Sequence, residues 1–400
     1  MISKNKKILI HPDIFYSHHS GAVASREAAR QLDKLGYDIA VFTHDKPDNS
    51  VNYKHYDRIA YRGIANYFTS KYKESFNNVI RDFNPDYVFF IGGIINTPVV
   101  YIDLCLKHKI KTVFLVLVQD FYCARLHAGL GEKSCTKCLD HSNLNAFLNN
   151  CGDKQNKPYI YLLNYQINQQ LFLSRLKKID YVLGSSNEQL NFYKKIGIKD
   201  INIKKIPLFF PQERVHLLQA DTKPYFVIIG QNRHEKGIHL ISKIVDYIDD
   251  NISVKLLLFT KDEADNFTKD IKNKYYIKNK KIEVIHGLTM TNGALELIAT
   301  SKGVINPSIW ATTTEFVLLE VLGMGKPIIT FDVGIHKEIL INRHNSICVE
   351  SGNFAMMGDE INNLCNDNKL EQKICKESLK LFDRLTNEMS FKKILQEIFY

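Results

Sequence analysis

The residues best placed to do chemistry stand between Val304 and Glu338. There a short apolar run, Val304-Ile305-Asn306, is closed by Pro307-Ser308 and followed by Thr312, Thr313 and Thr314. Three hydroxyls and free backbone N–H groups ahead of a helix suit an anion or a sugar, or else they only cap that helix. The next apolar run, Phe316 to Leu322, carries one acid, Glu320, among residues at helical spacing. Gly323 and Gly325 stop that helix before a second buried strand, Ile328 to Phe331. In alternating α/β chains ligands sit beyond the carboxyl ends of strands, here Ser308 to Glu315 and Asp332 to Lys337.

Other strand ends carry polar groups too. Phe226 to Ile229 runs into GQNRHEKGIHL, which supplies Gly230, the cations Arg233 and Lys236, and Gly237 at a helix start. Backbone donors, a helix N-terminus and fixed positive charge are what a diphosphate needs, although the same residues would also make an ordinary charged surface loop. Near the N-terminus, His18 and His19 precede Ser20-Gly21 and an Ala-rich helix; Gly21 allows close backbone approach. Gln119-Asp120 ends the run Lys111 to Val118, with His127 a little further on. Gln119 cannot act as a base, so any assisted proton transfer there falls to Asp120 or to a departing phosphate; Asp120 could equally cap the next turn.

The elements that must position these groups alternate strand and helix, which predicts parallel sheets covered by helices. KKILIHP, YDIAVFT, PDYVFFI and KTVFLVLV read as strands of a first half, with Gly21 to Leu35 a helix and Ile179 to Leu183 and Ile201 to Ile206 closing it. PLFFP and a polar stretch then precede a new strand at Tyr225, so one domain is expected over 1–210, with a long insertion at about 119–157, and a second over 211–384. Val254 to Phe259, Ile282 to His286, Val304 to Asn306 and Ile328 to Phe331 are its further strands, and Lys369 to Tyr400 is helical in pattern.

Composition bounds the classes of function. With 400 residues, 45% of them hydrophobic and 24% charged, the chain can bury two cores, and disorder is excluded. Its apolar runs fall short of the roughly 18 to 20 residues that span a bilayer, and the start, MISKNKKILIHPD, is too short in apolar residues for a signal peptide, so the cytoplasm is the expected location. Residues 1–210 carry 22 Lys and 7 Arg against 14 Asp and 4 Glu, an excess of 11 positive charges, whereas the remainder is nearly neutral. A basic half attracts nucleic acid, anionic lipid headgroups or a diphosphate-bearing substrate, or is only a solvated face. No nucleic-acid-binding motif accompanies it, so nucleic acid is not an expected partner.

Cys123, Cys135, Cys138 and Cys151 form C-x11-C-x2-C-x12-C inside the insertion. Four thiolates with one CxxC could hold zinc tetrahedrally, or an iron–sulfur cluster, or they are four reduced thiols; a cytoplasmic setting argues against disulfides.

The segment 304–338 resembles the signature of the family-four retaining glycosyltransferases: Pro-Ser, a Glu, seven residues, a second Glu, a small-residue turn and Lys-Pro. Pro307, Ser308, Glu320, Gly325 and Pro327 fall on it, and Lys236-Gly237 matches the family's diphosphate loop. Thr312 stands where the family has its first Glu, Glu315 where it has Gly, and Gln231 where it has Arg, which moves that role to Arg233. The resemblance implies the GT-B fold, two Rossmann-like α/β domains facing across a cleft, with a last helix, here 385–400, crossing back to the first domain. It implies a nucleotide-diphosphate sugar donor, a glycan hydroxyl as acceptor, retention at the anomeric carbon and no catalytic metal. Glu320 would hold the ribose, the backbone of His286-Gly287 the nucleobase, and Gly21, Gly230, Thr312, Thr313 and Thr314 the phosphates and sugar. Arg233 and Lys236 would stabilise the leaving diphosphate, with Glu315 and Asp120 as further catalytic candidates and His18, Gln119 and His127 on the acceptor side. Similar cysteine-bearing insertions occur in polysaccharide-building relatives, which suggests a structural staple. A lipid-linked oligosaccharide of a surface polysaccharide such as O-antigen or capsule, met at the cytoplasmic face of an anionic inner membrane, is the acceptor this implies. Two rivals share the fold: a sugar-nucleotide epimerase, and an inactive partner subunit motivated by Thr312, Gln231 and Gln119.

Overall fold

The computed structural model describes residues 6–17, 20–47, 51–60, 70–94, 96–139, 144–152, 155–206, 224–230, 233–258, 282–288, 292–312, 315–387 and 391–399. The chain forms two compact units: Met1–Ala128 with Thr136–Phe210 and Ser390–Tyr400, and Gly129–Cys135 with Pro211–Met389.

In the first unit the strands are β1 (Lys7–Pro12), β2 (Asp38–Thr43), β3 (Lys54–Asp57), β4 (Tyr87–Gly92) and β5 (Lys111–Val116). A short hairpin, β6 (Gly129–Leu130) with β7 (Lys133–Ser134), groups with the second unit, and β8 (Tyr181–Gly184) and β9 (Ile203–Lys205) complete the first. They make one parallel sheet in the order β3-β2-β1-β4-β5-β8-β9. Its central strands are buried along their length, β4 at every residue, as expected where helices cover both faces of a parallel sheet. The helix Ser20–Lys34 buries Ala22, Ala24, Ala28 and Ala29, small side chains that let its axis approach the strands, and Gly36 at φ 86° ends it. Ser186 caps the helix Asn187–Lys195 in a capping box with Gln189.

The second unit holds β10 (Tyr225–Gly230), β11 (Ser253–Leu258), β12 (Ile282–His286), β13 (Gly303–Asn306), β14 (Ile328–Phe331) and β15 (Ile347–Val349), again all parallel, in the order β12-β11-β10-β13-β14-β15. Ile228, Leu256, Ile305 and Ile329 from the strands meet Ile241, Met357, Ile361 and Ile374 from the helices in one core. Gly323 closes the helix Phe316–Gly323 against Phe382 of the long helix Asn368–Asn387; a Cβ on Gly323 would stand 2.9 Å from that ring.

The expected doubly wound α/β architecture is thus adopted twice. Two edge strands, β3 and β15, went unread because an edge strand needs one partner only and these carry too few residues for a period to show. The terminal helical pattern is two helices, Asn368–Asn387 and Phe391–Phe399, the second burying Phe399 against Tyr37, Tyr87 and Phe89 of the first unit to which it belongs.

Candidate functional site

In a doubly wound sheet the crevice for a ligand opens where the strand order reverses. In the second unit that point lies between β10 and β13. β10 ends at Gly230, and residues 233–237 turn back over the end of β13. Gly237 makes this possible: its φ is 66°, and a Cβ there would overlap the Pro307 carbonyl oxygen. The two strand exits are then tied together, the Glu235 carbonyl accepting from Ile309 N at 3.1 Å and from Ser308 Oγ at 3.3 Å.

Lys236 projects from this turn. Its Nζ donates to Glu315 Oε1 at 2.6 Å and lies 5.0 Å from the centre of the Trp310 ring. The other carboxylate oxygen of Glu315, Oε2, accepts from Asn306 Nδ2 at 2.7 Å and from His336 Nε2 at 2.9 Å. His336 is fully buried, and its Nδ1 meets Thr330 Oγ1 at 2.9 Å, so β13 and β14 both feed this network. Burial by itself would raise the Glu315 carboxyl, but the Lys236 charge and the His336 bond hold it well below the usual carboxylate range. Glu315 is therefore a fixed anion that orients an ammonium. One of three ammonium N–H groups is committed to it, which leaves donors for a phosphate.

Arg233 is more than half exposed, and its guanidinium pairs with Glu235 at 2.6 Å. Glu320 lies in the helix Phe316–Gly323, half-buried, its carboxyl without a hydrogen-bond or ion-pair partner among the described residues; burial pushes that carboxyl up to about 7. Thr312 is buried, its carbonyl accepting from Ile335 N at 2.9 Å, and a Cβ on Gly334 would overlap that carbonyl. Thr313 and Thr314, like Gln231 and His18, lie outside the described residues. His286 ends β12, the edge strand two places from β10, and Gly287 follows at φ 76° with its N–H donated to the Leu258 carbonyl at 2.9 Å. Gly230 would accept a Cβ only 3.3 Å from Ile238.

The reversal in the first unit falls between β1 and β4. Gly92 and Gly93 close β4, and a Cβ on either would overlap a carboxylate, Asp13 at Gly92 and Asp120 at Gly93. The Gly93 N–H donates to Asp13 Oδ2 at 2.9 Å, and burial pushes the Asp13 carboxyl up to about 6. Behind it the buried Arg58 donates to the carbonyls of Asn96 and Asp13 at 2.8 and 3.1 Å and meets His44 Nδ1 at 2.7 Å. Asp120 and Gln119 are buried in the short turn Gln119–Phe121, and Tyr165 Oη donates to the Asp120 carbonyl at 2.8 Å. His127 is half-buried nearby in sequence. Gly21 sits in the first turn of its helix, 3.6 Å from Leu117 by its would-be Cβ, so packing alone does not demand glycine there. Asp13 and Arg58 were missed by sequence reasoning; the available signal was an acid directly after β1 and a glycine pair at the end of β4.

Among the described residues no three Cys, His, Asp or Glu side chains form a group that could hold an ion. Cys138 and Cys151 pack against Ala124, Ala146, Leu162 and Tyr165, and burial pushes the Cys123 thiol up to about 12. The charges of Cys151 and Cys138 add to that rise, so these three thiols lie near one another in the insertion.

Residues 209–380 match the family model for glycosyl transferases group 1. No curated protein matches the chain by sequence. Among solved structures, the sucrose-phosphate synthase from Thermosynechococcus elongatus is similar at 12% identity and a TM-score of 0.69, covering 99% of this chain and 98% of that one. HepE from Anabaena, solved with UDP and glucose, gives 12% identity and a TM-score of 0.67 with 99% of both chains covered. WaaG, a glycosyltransferase involved in lipopolysaccharide biosynthesis, gives 10% and 0.67, covering 98% of this chain and 99% of that one. The matched segment lies over the unit that holds Lys236 and Glu320, the two-sheet architecture is common to these structures, and the chain therefore has the GT-B fold with a region over residues 209–380 similar to glycosyl transferases group 1.

Proposed function

We propose that the chain moves a sugar, with retention at the anomeric carbon, from a nucleotide-diphosphate sugar to a hydroxyl of a lipid-linked oligosaccharide, in the synthesis of a surface polysaccharide at the cytoplasmic face of an anionic membrane. The observation that carries the donor half of this reading is Lys236, held by Glu315 over Trp310 at the strand-order reversal of the second sheet. The largest charge to develop in the transition state is on the departing diphosphate, and a positioned ammonium meets it without reorganising. Arg233, released from Glu235, adds a bidentate donor. Glu320, ionised, accepts from the ribose hydroxyls, and the backbone at His286-Gly287 serves the base. Uridine is the favoured base because HepE was solved with UDP. Thr312, Thr313 and Thr314 serve the donor sugar, and the leaving phosphate takes the acceptor proton on the face it departs from.

On the acceptor half, Asp120 with Gln119 and His127 orient the incoming hydroxyl, and His18 completes that side, while Gly21 serves the donor phosphates and sugar. No metal enters these steps. The test is to incubate the protein with UDP-, GDP-, ADP- and CMP-sugars, follow release of the nucleoside diphosphate, or of CMP from the CMP-sugars, with water or added glycan as acceptor, and read the anomeric configuration of the product by NMR. The reading expects UDP release and an α product from an α donor. Inversion would remove the retaining mechanism, a free epimerised donor would make the chain an epimerase, and binding without turnover would make it a partner subunit.

A further inference from the structure

Half of the large hydrophobic side chains that stand exposed among the described residues come from one short stretch of the first unit: Leu144, Leu148, Tyr159, Ile160, Leu163 and Ile167, from 48% exposed at Ile167 to 73% at Leu148. They are not scattered. Leu144 and Leu148 are one helical turn apart on the helix Leu144–Leu148, whose Ala146 packs with Leu162 and Tyr165 of the helix Pro158–Leu176. Tyr159 or Ile160, Leu163 and Ile167 are spaced as one face of the latter helix. The opposite face is spent inward: Leu162, Tyr165, Gln169, Phe172 and Leu176 are buried, with Tyr165 and Gln169 donating to the carbonyls of Asp120 and Phe121. The outer apolar face is thus held rigidly by the same helix that anchors the Gln119–Phe121 turn.

The charge around this face is predominantly positive. Neither helix contains an Asp or Glu, and residues 136–179 carry six Lys and Arg against two Asp. Lys157 stands exposed at the N-cap of the longer helix. Lys137 donates to Asn149 and Arg125 to the Asn150 carbonyl, so both cations lie beside the end of the shorter helix. A second copy of the chain docked here about a two-fold axis would bring like charges together. An anionic bilayer answers both features: apolar side chains enter the headgroup boundary and the cations meet phosphates, with a tyrosine ring suited to that depth. No described helix is long and apolar enough to cross a membrane, so this face would lie on the surface.

We infer that the outer face of helices Leu144–Leu148 and Pro158–Leu176 docks the protein onto anionic lipid. The inference rests on the membrane part of the function proposed above and gives it a location. Docking would hold the Gln119–Phe121 turn at a fixed height from the headgroups, the distance over which a lipid-linked hydroxyl must reach.

The test is flotation of the full chain with vesicles of phosphatidylcholine alone and of three parts phosphatidylcholine to one of phosphatidylglycerol, using the wild type and the triple variant Leu148→Glu/Ile160→Glu/Leu163→Glu. These side chains are exposed, so the variant should unfold at an unchanged temperature. The expected result is binding to the anionic vesicles that falls with added salt and drops at least about tenfold in the variant. Equal binding by variant and wild type, no binding by the wild type, or a dimer in sedimentation that the variant dissolves would each overturn it. Nucleotide binding is measured on the same samples. Vesicle binding without it would leave the docking face standing and remove the glycosyl-transfer reading, and the reverse result would do the opposite.

Discussion

The two strand-order reversals of this molecule are built from opposite charges. In the second unit a cation is presented by a buried anion: Lys236 on Glu315, with His336 and Asn306 completing the carboxylate's bonds. In the first unit two carboxylates, Asp13 and Asp120, flank a glycine pair, and the nearest cation, Arg58, is buried among carbonyls. One end presents a cation and the other carboxylate acceptors. Under the function proposed above, the contrast teaches that a transferase needs its charge complementarity where a diphosphate departs and hydrogen-bond acceptors where a neutral hydroxyl arrives.

The largest expected effect breaks the donor side outright. Gly237→Ala places a Cβ against the Pro307 carbonyl at a positive φ, and it should cost the second unit about 3 kcal/mol and abolish nucleotide binding, read as a lower unfolding temperature without a UDP-induced rise. Next comes Lys236→Met. It removes one charge-assisted bond, which predicts a rise of roughly 10- to 100-fold in the Kd for UDP. It also leaves Glu315 buried without its ammonium; because Lys236 is a quarter exposed, the stability cost should be near about 2 kcal/mol, below that of a fully buried pair. Glu315→Gln in the same background should recover part of that stability while UDP affinity stays low, which separates folding from binding.

A subtler effect sharpens the comparison through pH. Burial raises the Glu320 carboxyl to about 7, so its ionised form is lost as pH falls through that value. UDP affinity should therefore decline on going from pH 8 to 6, by up to about tenfold per unit below the midpoint, and Glu320→Gln should flatten the profile at the weaker level. The same burial works against the fold at high pH, since the native state holds this proton more tightly than the unfolded chain between about 4.5 and 7. The smallest effect on binding belongs to the first unit. Asp13→Asn should leave UDP affinity within about twofold. It should lower sugar transfer and remove any rate limb near pH 6, measured by the pH dependence of UDP release.

The residues proposed for the donor side could be picked out because they are close in sequence and each strand end announces itself: Gly230 to Gly237 follows an unbroken apolar run, and Glu320 is the single acid in another. What supports Lys236 was not legible. Glu315 and His336 are 21 residues apart, and their meeting depends on the register of β13 against β14 and on Gly334 letting the chain pass the Thr312 carbonyl. Glu315 read as a misplaced acid in a glycine position, whereas its packing makes it the holder of the lysine. On the acceptor side Asp13 lies between a strand and an irregular loop and has no periodicity to mark it, and Gly92-Gly93 acquires meaning only once β1 and β4 are neighbours. The apolar cluster that Cys138 and Cys151 join with Ala124 and Tyr165 was hidden for a related reason, since spacing along the chain does not say what a thiol packs against.

The most direct test of the donor site is calorimetric titration of UDP into the wild type, Lys236→Met and Asp13→Asn at pH 8, where Glu320 is ionised. Binding by the wild type, weakened at least about tenfold in Lys236→Met and kept in Asp13→Asn, is the predicted result. Equal affinity for wild type and Lys236→Met, or no binding by the wild type, would contradict it.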